Sequence, residues 1–211
     1  MSKTVIDFVE ATHTYLVNGV EVPSVTQVIR HITSDHYGAI LPSVLDHARR
    51  RGSMIHEVTE MLEYGVDLSF PEEILGYIRA YLAFCRDYRP VWEGIEQIVY
   101  DENRRVCGTV DRHGLVGGKR WIVDIKNKKT PTRENYISDC CQTAAYSQAL
   151  GFPYAKRVTL YLREDGDYRL FHCDEFEKKN GFSGIELFDR CLTLENTIRR
   201  LKENGKCNRN V

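Results

Sequence analysis

Long apolar runs are missing from this sequence. No stretch approaches the ~20 residues needed to cross a bilayer, and the opening Met1-Ser-Lys-Thr-Val-Ile-Asp lacks the apolar core of a secretory signal. The expectation is a cytoplasmic protein, in the host cytoplasm if it is phage-encoded, with no membrane partner. Cysteine pairs are missing too. The 211 residues include 7 Cys, an odd number, scattered mostly through apolar segments and without any Cys-x-x-Cys. That pattern argues for reduced core residues and against a disulfide framework or a zinc site. Net charge is nearly absent: 29 Lys and Arg against 30 Asp and Glu leave −1. This argues against a protein that coats nucleic acid through a global positive field. A local basic groove remains compatible with it, because carboxylates gathered elsewhere mask such a groove in the sum. Internal repeats and linkers rich in Pro, Gly or Ser are also lacking.

What is present is enough apolar material for one domain spanning 1–211. The hydrophobic fraction is 42%, so disorder is expected only over Lys206 to Val211. Residues 5–22 read as a hairpin, with Asn18-Gly19 as its two-residue turn. Pro23-Ser24 opens a short helix from Val25 to about Ile29, followed by a loop to about Pro42. A helix from Ser53 to Tyr64 is capped by Ser53 and ended by Gly65. Met54, Ile55, Val58, Met61 and Leu62 form its apolar stripe, with His56, Glu60 and Glu63 opposite. A second helix, about Glu72 to Tyr88, buries Ile74, Ile78, Tyr81, Leu82 and Cys85. Period-two patterning then predicts strands at 94–100, 104–111 and 120–126, with turns at Asp101-Glu-Asn and Gly117-Gly118. A helix over 134–150, strands at 156–163 and 167–173 and a C-terminal helix over about 185–201 complete the chain. This order predicts one α/β domain with a central mixed β-sheet flanked by α-helices.

The chemistry concentrates on the strand Trp121-Ile-Val-Asp-Ile-Lys126. Alternate residues of a strand share a face, so Asp124 and Lys126 project together while Val123 and Ile125 enter the other layer. Taken alone, the pair reads first as an ordinary edge-strand ion pair, since Asp-x-Lys is a very common tripeptide. Gly108-Thr-Val-Asp111 ends the preceding strand, and antiparallel pairing would bring Asp111 close to Asp124. Two converging carboxylates repel unless a cation lies between them, and hard oxygen ligands suit Mg²⁺ or Mn²⁺. Two aspartates facing water near turns is the plainer alternative. His56 lies on the polar side of its helix, which excludes a core histidine and leaves a solvated surface residue as the plainer reading. Gln142 and Tyr146 stand four apart on one helix face, as any polar helix edge does.

In combination, Arg51-Gly52 through His56, Gly108-x-x-Asp111, Asp124-x-Lys126 and Gln142-x-x-x-Tyr146 resemble the PD-(D/E)XK nuclease superfamily, and within it the RecB-like and phage-type exonucleases. The opening Thr14-Tyr-x-x-x-Gly19 with Val22-Pro-Ser-Val-Thr26 looks like the start of phage members. The resemblance covers residues 14–146 and rests on the order and spacing of motifs that are individually common. It implies a restriction-endonuclease-like core and a metal-dependent DNA nuclease, an exonuclease of recombination, repair or phage DNA processing. It implies Asp111, Asp124 and the carbonyl of Ile125 as metal ligands, with His56 a ligand or close neighbour. Lys126 would polarise the attacking water, Gln142 and Tyr146 would orient the site and the strand, and Glu96 would have a supporting role. The partners implied are DNA ends and a single-strand annealing or recombination protein.

Some relatives hold an iron–sulfur cluster through one upstream cysteine and a C-terminal trio. Here Cys173, Cys191 and Cys207 are too widely spaced for that trio, so no cluster is expected. Among basic residues, Arg49, Arg50, Arg51, Lys128, Lys129 and Arg133 flank the motifs and are candidate phosphate contacts. Arg199, Arg200, Lys202 and Lys206 read as a solvated helix face. Two other functions share these features: a structure- or site-specific endonuclease on the same core, and an inactive nucleic-acid-binding module. Retention of Asp111, Asp124 and Lys126 together counts against the second.

Overall fold

Turn chemistry and apolar spacing lay out most of the chain as expected. The structure, a computed structural model, describes residues 4–37, 42–66, 69–128 and 130–207. Lys129, one of the expected phosphate contacts, lies outside the described residues. At the N-terminus β1 (Ile6–Val9), β2 (Thr14–Val17) and β3 (Val20–Val22) form a small antiparallel sheet with β2 in the middle. Asn18 and Gly19 both take positive φ, as the β2–β3 turn requires. The helices and main strands follow: α1 (Val25–Tyr37), α2 (Pro42–Glu63), α3 (Glu72–Tyr88), β4 (Val91–Asp101), β5 (Val106–Val116), β6 (Lys119–Lys126), α4 (Arg133–Ala149), β7 (Lys156–Leu162), β8 (Tyr168–His172), α5 (Cys173–Asn180) and α6 (Gly184–Cys207).

The main sheet has the order β4-β5-β6-β7-β8. Its neighbours are antiparallel except β6 and β7, which run parallel through the α4 crossover. The sheet is therefore mixed, with helices on both faces. On one face Ile55 of α2 and Ile78, Tyr81 and Phe84 of α3 pack on Val123, Ile125, Val158 and Leu160. On the other, Val28 of α1, Cys141 and Ala145 of α4 and Phe188 of α6 pack on Val110 and Ile122. The alternation expected for β6 is realised: Val123 and Ile125 enter the first layer, and Asp124 faces α4.

Three expectations change. The first helix runs on to Tyr37 and the second begins at Pro42, so Ser53 is a mid-helix residue and not a cap. Pro42 suits the first turn, where a missing N–H costs nothing, and the basic run Arg49-Arg50-Arg51 continues the helix because straight-chain residues lose little freedom there. Leu82 is 49% exposed, whereas Phe84 is fully buried. The stripe of α3 runs through Ile74, Tyr77, Ile78, Tyr81 and Phe84, and Leu82 falls a full step off it. Finally, Cys173 opens a short helix, α5, where strand was expected. Its Asp-Glu-Phe-Glu-Lys-Lys run carries too little apolar residue to show a stripe. No helix among the described residues is long and apolar enough to cross a membrane.

Candidate metal and proton-handling site

Asp111 and Asp124 are placed by strand pairing. Arg112 pairs with Val123 in the antiparallel β5–β6 ladder, and one further step sets Asp111 opposite Asp124. Both are buried, at 7% and 1% exposure. Asp111 Oδ2 accepts a hydrogen bond from the Ile125 N–H at 2.6 Å. Gly108 has a packing reason: a Cβ there would stand 2.6 Å from Tyr146 Cε1.

His56 is carried into this place by α2. Its Nδ1 is 3.1 Å from Glu96 Oε1 and 3.7 Å from Asp111 Oδ1, and its Nε2 is 3.2 Å from the Ile125 carbonyl oxygen. It is thus neither a core histidine nor a solvated one. Burial alone would lower its pKa, but Asp111 and Glu96 outweigh it and push the value up to about 9. Burial presses Glu96 upward, yet His56 and Arg112 together hold it below the usual carboxylate range. Burial raises Asp111. It also raises Asp124 to about 6, with Asp111 adding to the rise and Lys126 opposing it.

The second half of the site is a chain along β6 and α4. Lys126 Nζ lies 2.8 Å from Asp124 Oδ2 and donates to Gln142 Oε1 at 3.1 Å. Gln142 Nε2 donates to Tyr146 Oη at 3.2 Å. Burial opposes the charge on Lys126, but Asp124, Asp139 and Asp111 raise its pKa overall, so it stays an ammonium. Thr132 fixes the start of α4 through a reciprocal capping box with Asn135. A cavity of about 210 Å³ opens between the two halves, lined by His56, Glu96, Asp111, Asp124, Lys126 and Tyr146 among others.

His56, Glu96 and Asp111 each offer a ligand atom, all within 4.8 Å of one another. Asp124 stands next to this trio and not within it. Despite the close ammonium, both of its carboxylate oxygens are buried without a hydrogen-bond partner among the described residues. A buried carboxylate paired with the Lys126 ammonium, beside a His–Glu–Asp trio, gives a donor set of hard oxygens with one imidazole, and that set fits Mg²⁺ or Mn²⁺. A cation would have to displace the proton that His56 holds.

Glu96 therefore stands in the trio itself, where the sequence suggested only a supporting role. Arg112, which the sequence reading missed, is fully buried. It donates to Glu96 Oε1 at 3.0 Å, to Thr59 Oγ1 at 3.1 Å, to the Asp111 carbonyl at 2.6 Å and, through Nε, to Tyr81 Oη at 3.2 Å. An arginine between Asp111 and His113, at the end of a predicted strand, was the available signal. Asp139, also missed, is buried in α4 and accepts a short hydrogen bond from Tyr161.

The basic residues disperse. Arg51 and Lys128 line a cavity next to the site. Arg49 and Arg50 are exposed on α2, with Arg49 3.6 Å from Asp46. Arg133 lines a separate cavity near α5 and donates to Asn180 at 3.0 Å. Cys173 and Cys191 are buried in different apolar clusters.

No family model and no curated protein sequence matches the chain. Among solved structures, the crystal structure of SSO0001 is similar over 79% of this chain and 84% of that one, at 16% identity and a TM-score of 0.31. A likeness of that size carries no argument about function.

Proposed function

We propose that this chain is a metal-dependent deoxyribonuclease on a restriction-endonuclease-like core, hydrolysing phosphodiester bonds as an exonuclease in recombination, repair or phage DNA processing. The observation that carries the reading is one juxtaposition. A cation-ready trio, His56–Glu96–Asp111, adjoins the buried Asp124, and the Asp124–Lys126–Gln142–Tyr146 chain lies along the same cavity.

His56, Glu96, Asp111 and Asp124, with the Ile125 carbonyl, would hold Mg²⁺ or Mn²⁺. When bound, that ion supplies an acidified water and neutralises charge building on the phosphate oxygens. Everything else belongs to the chain. Lys126 remains protonated and presents a fixed positive group to the phosphate and the attacking water. Gln142 accepts from Lys126 and so fixes the direction of its ammonium, and Tyr146 holds the Gln142 amide. Arg112 holds Glu96 in place from the core. Preorganised charge of this kind needs no rearrangement during the reaction.

The test is incubation of the pure protein with end-labelled single- and double-stranded linear DNA and with closed circular DNA. Cleavage of linear DNA that requires Mg²⁺ or Mn²⁺, stops in excess EDTA and spares circles is the expected outcome. Undiminished cleavage in chelator, or none with either ion, overturns the reading.

A further inference from the structure

A larger cavity adjoins the metal-site cavity. This second cavity, of about 540 Å³, lies between α1, α2 and α4 and shares Thr26, Lys126 and Gln142 with the first. Its walls differ in chemistry. Ile29 of α1 and Leu45 and Ala48 of α2 form an aliphatic side, while Asn135 and Ser138 of α4 line the other. The Asn135 Oδ1 accepts from Thr132 and the Ser138 hydroxyl donates to the Asn135 carbonyl, which leaves the Asn135 amide N–H groups and the Ser138 oxygen lone pairs. Val44, on the same stretch of α2, is 55% exposed, so an apolar side chain marks the mouth. Arg51 also lines the space. Its guanidinium lies 5.6 Å from the centre of the Tyr77 ring, and its Nε is buried without a hydrogen-bond partner among the described residues.

We propose that this cavity receives one unpaired nucleotide of the strand whose phosphate lies on the metal site, so that the substrate is a single-stranded or frayed DNA end and not an intact duplex. The proposal rests on the nuclease reading and adds the substrate class to it. Size is the first argument. The volume falls within the ~300–1,000 Å³ of small-ligand sites, enough for a nucleotide. A duplex is far larger, since its major groove alone is ~12 Å wide and admits a whole helix. Adjacency is the second. Lys126 borders both spaces, so a strand with a phosphate at Lys126 would bring its neighbouring nucleotide within reach of the aliphatic wall. Chemistry is the third. Taking a base out of its stack costs a few kcal/mol, and an apolar face opposite hydrogen-bonding groups is how such a base is held.

The test measures binding separately from cleavage. A fluorescent single-stranded oligonucleotide and the same sequence as a duplex cross-linked at both ends are titrated with the protein in Ca²⁺, beside Ala48→Phe, which fills the cavity, and Val44→Glu, a change at an exposed position that threatens no packing. The parent should bind the single strand about tenfold more tightly than the cross-linked duplex, the scale of one stacked base. Both variants should lose that advantage while keeping parental Mn²⁺ affinity. Equal affinity of the parent for the two DNAs, or parental single-strand affinity in Val44→Glu, overturns the proposal. Cleavage of the same DNAs in Mn²⁺ is recorded in parallel. Cutting of the cross-linked duplex as fast as the single strand refutes the cavity assignment and leaves the nuclease reading intact. Absence of any cutting refutes the nuclease reading, while the binding preference is still read directly.

Discussion

At the scale of single residues, the site sets negative charges against each other and relieves the repulsion with whatever cation is at hand. Asp124 and Lys126 separate two ways of losing function. Asp124→Asn removes an ionised ligand while keeping the side chain's shape, so Mn²⁺ affinity and hydrolysis should both fall while DNA affinity is kept or improved. Lys126→Ala leaves Asp124 in place, so metal binding should persist and hydrolysis should fall by order 10² or more, the scale seen when one preorganised polar group is deleted. Calorimetric metal titration beside cleavage rates checks both, and a folded variant with the parental rate would remove β6 from the mechanism. His56→Ala acts on the other half of the cavity. His56 contacts Glu96, Asp111 and the Ile125 carbonyl but lies outside the apolar stripe of α2. Cleavage should drop strongly with the circular dichroism spectrum unchanged, and wild-type turnover would exclude the imidazole from the site.

At the scale of elements, β5 and α4 are fitted to each other through a glycine. Gly108→Ala should push the Tyr146 ring, because the added methyl would also stand 3.3 Å from Tyr146 Oη and Val25 Cγ2. Tyr146 is 2% exposed and has nowhere to go. Overpacking of this kind costs ~1–3 kcal/mol, and it also disturbs the Gln142–Tyr146 bond. Urea unfolding should show the loss and cleavage should fall with it; a variant with parental values for both would mean that the contact is slack. This is also the scale at which the sequence was most legible. The alternation along Trp121–Lys126 placed Asp124 and Lys126 on one face, and the four-residue spacing placed Gln142 beside Tyr146, because both are periodic signals. Glu96 and Arg112 could not be weighted correctly, since their roles depend on the register between β4 and β5, and a register leaves no local pattern. The start of α2 was misplaced for a similar reason. Ser53 is a good cap by type, but nothing nearby shows that a helix already passes through it.

At the scale of the whole molecule, the site is a load on stability that a bound ion should lighten. Asp124 sits in the folded protein at about 6, above its ordinary value near 3.8. Its ionisation therefore costs folding free energy as pH rises through that value. His56, raised to about 9, contributes stability that is complete below its ordinary 6.5 and lost as pH rises through about 9. Both effects run the same way, so they lower the metal-free Tm from mildly acid to alkaline pH. If the site holds a metal as proposed, binding would displace the His56 proton, so the Tm gain from saturating Mn²⁺ should grow from pH 6 to pH 9. Scanning calorimetry with and without Mn²⁺ checks the trend; a gain that is flat or shrinks with pH would mean that His56 does not compete with the ion.

Glu96 pairs two costs that bear on how this chain can change over generations. Its φ is +44° within a strand, a conformation that an L-residue with a side chain pays for and glycine does not. A mutation to glycine would relieve that strain, yet it would leave Arg112, with no exposed surface at all, as a buried cation without its carboxylate, which is much the larger penalty. The easy local improvement is therefore blocked by a neighbour sixteen residues away. A lineage freed from the need for this site could shed Glu96 only after, or together with, an apolar replacement at Arg112. Descendants that no longer needed the site would for a time still carry this strained residue.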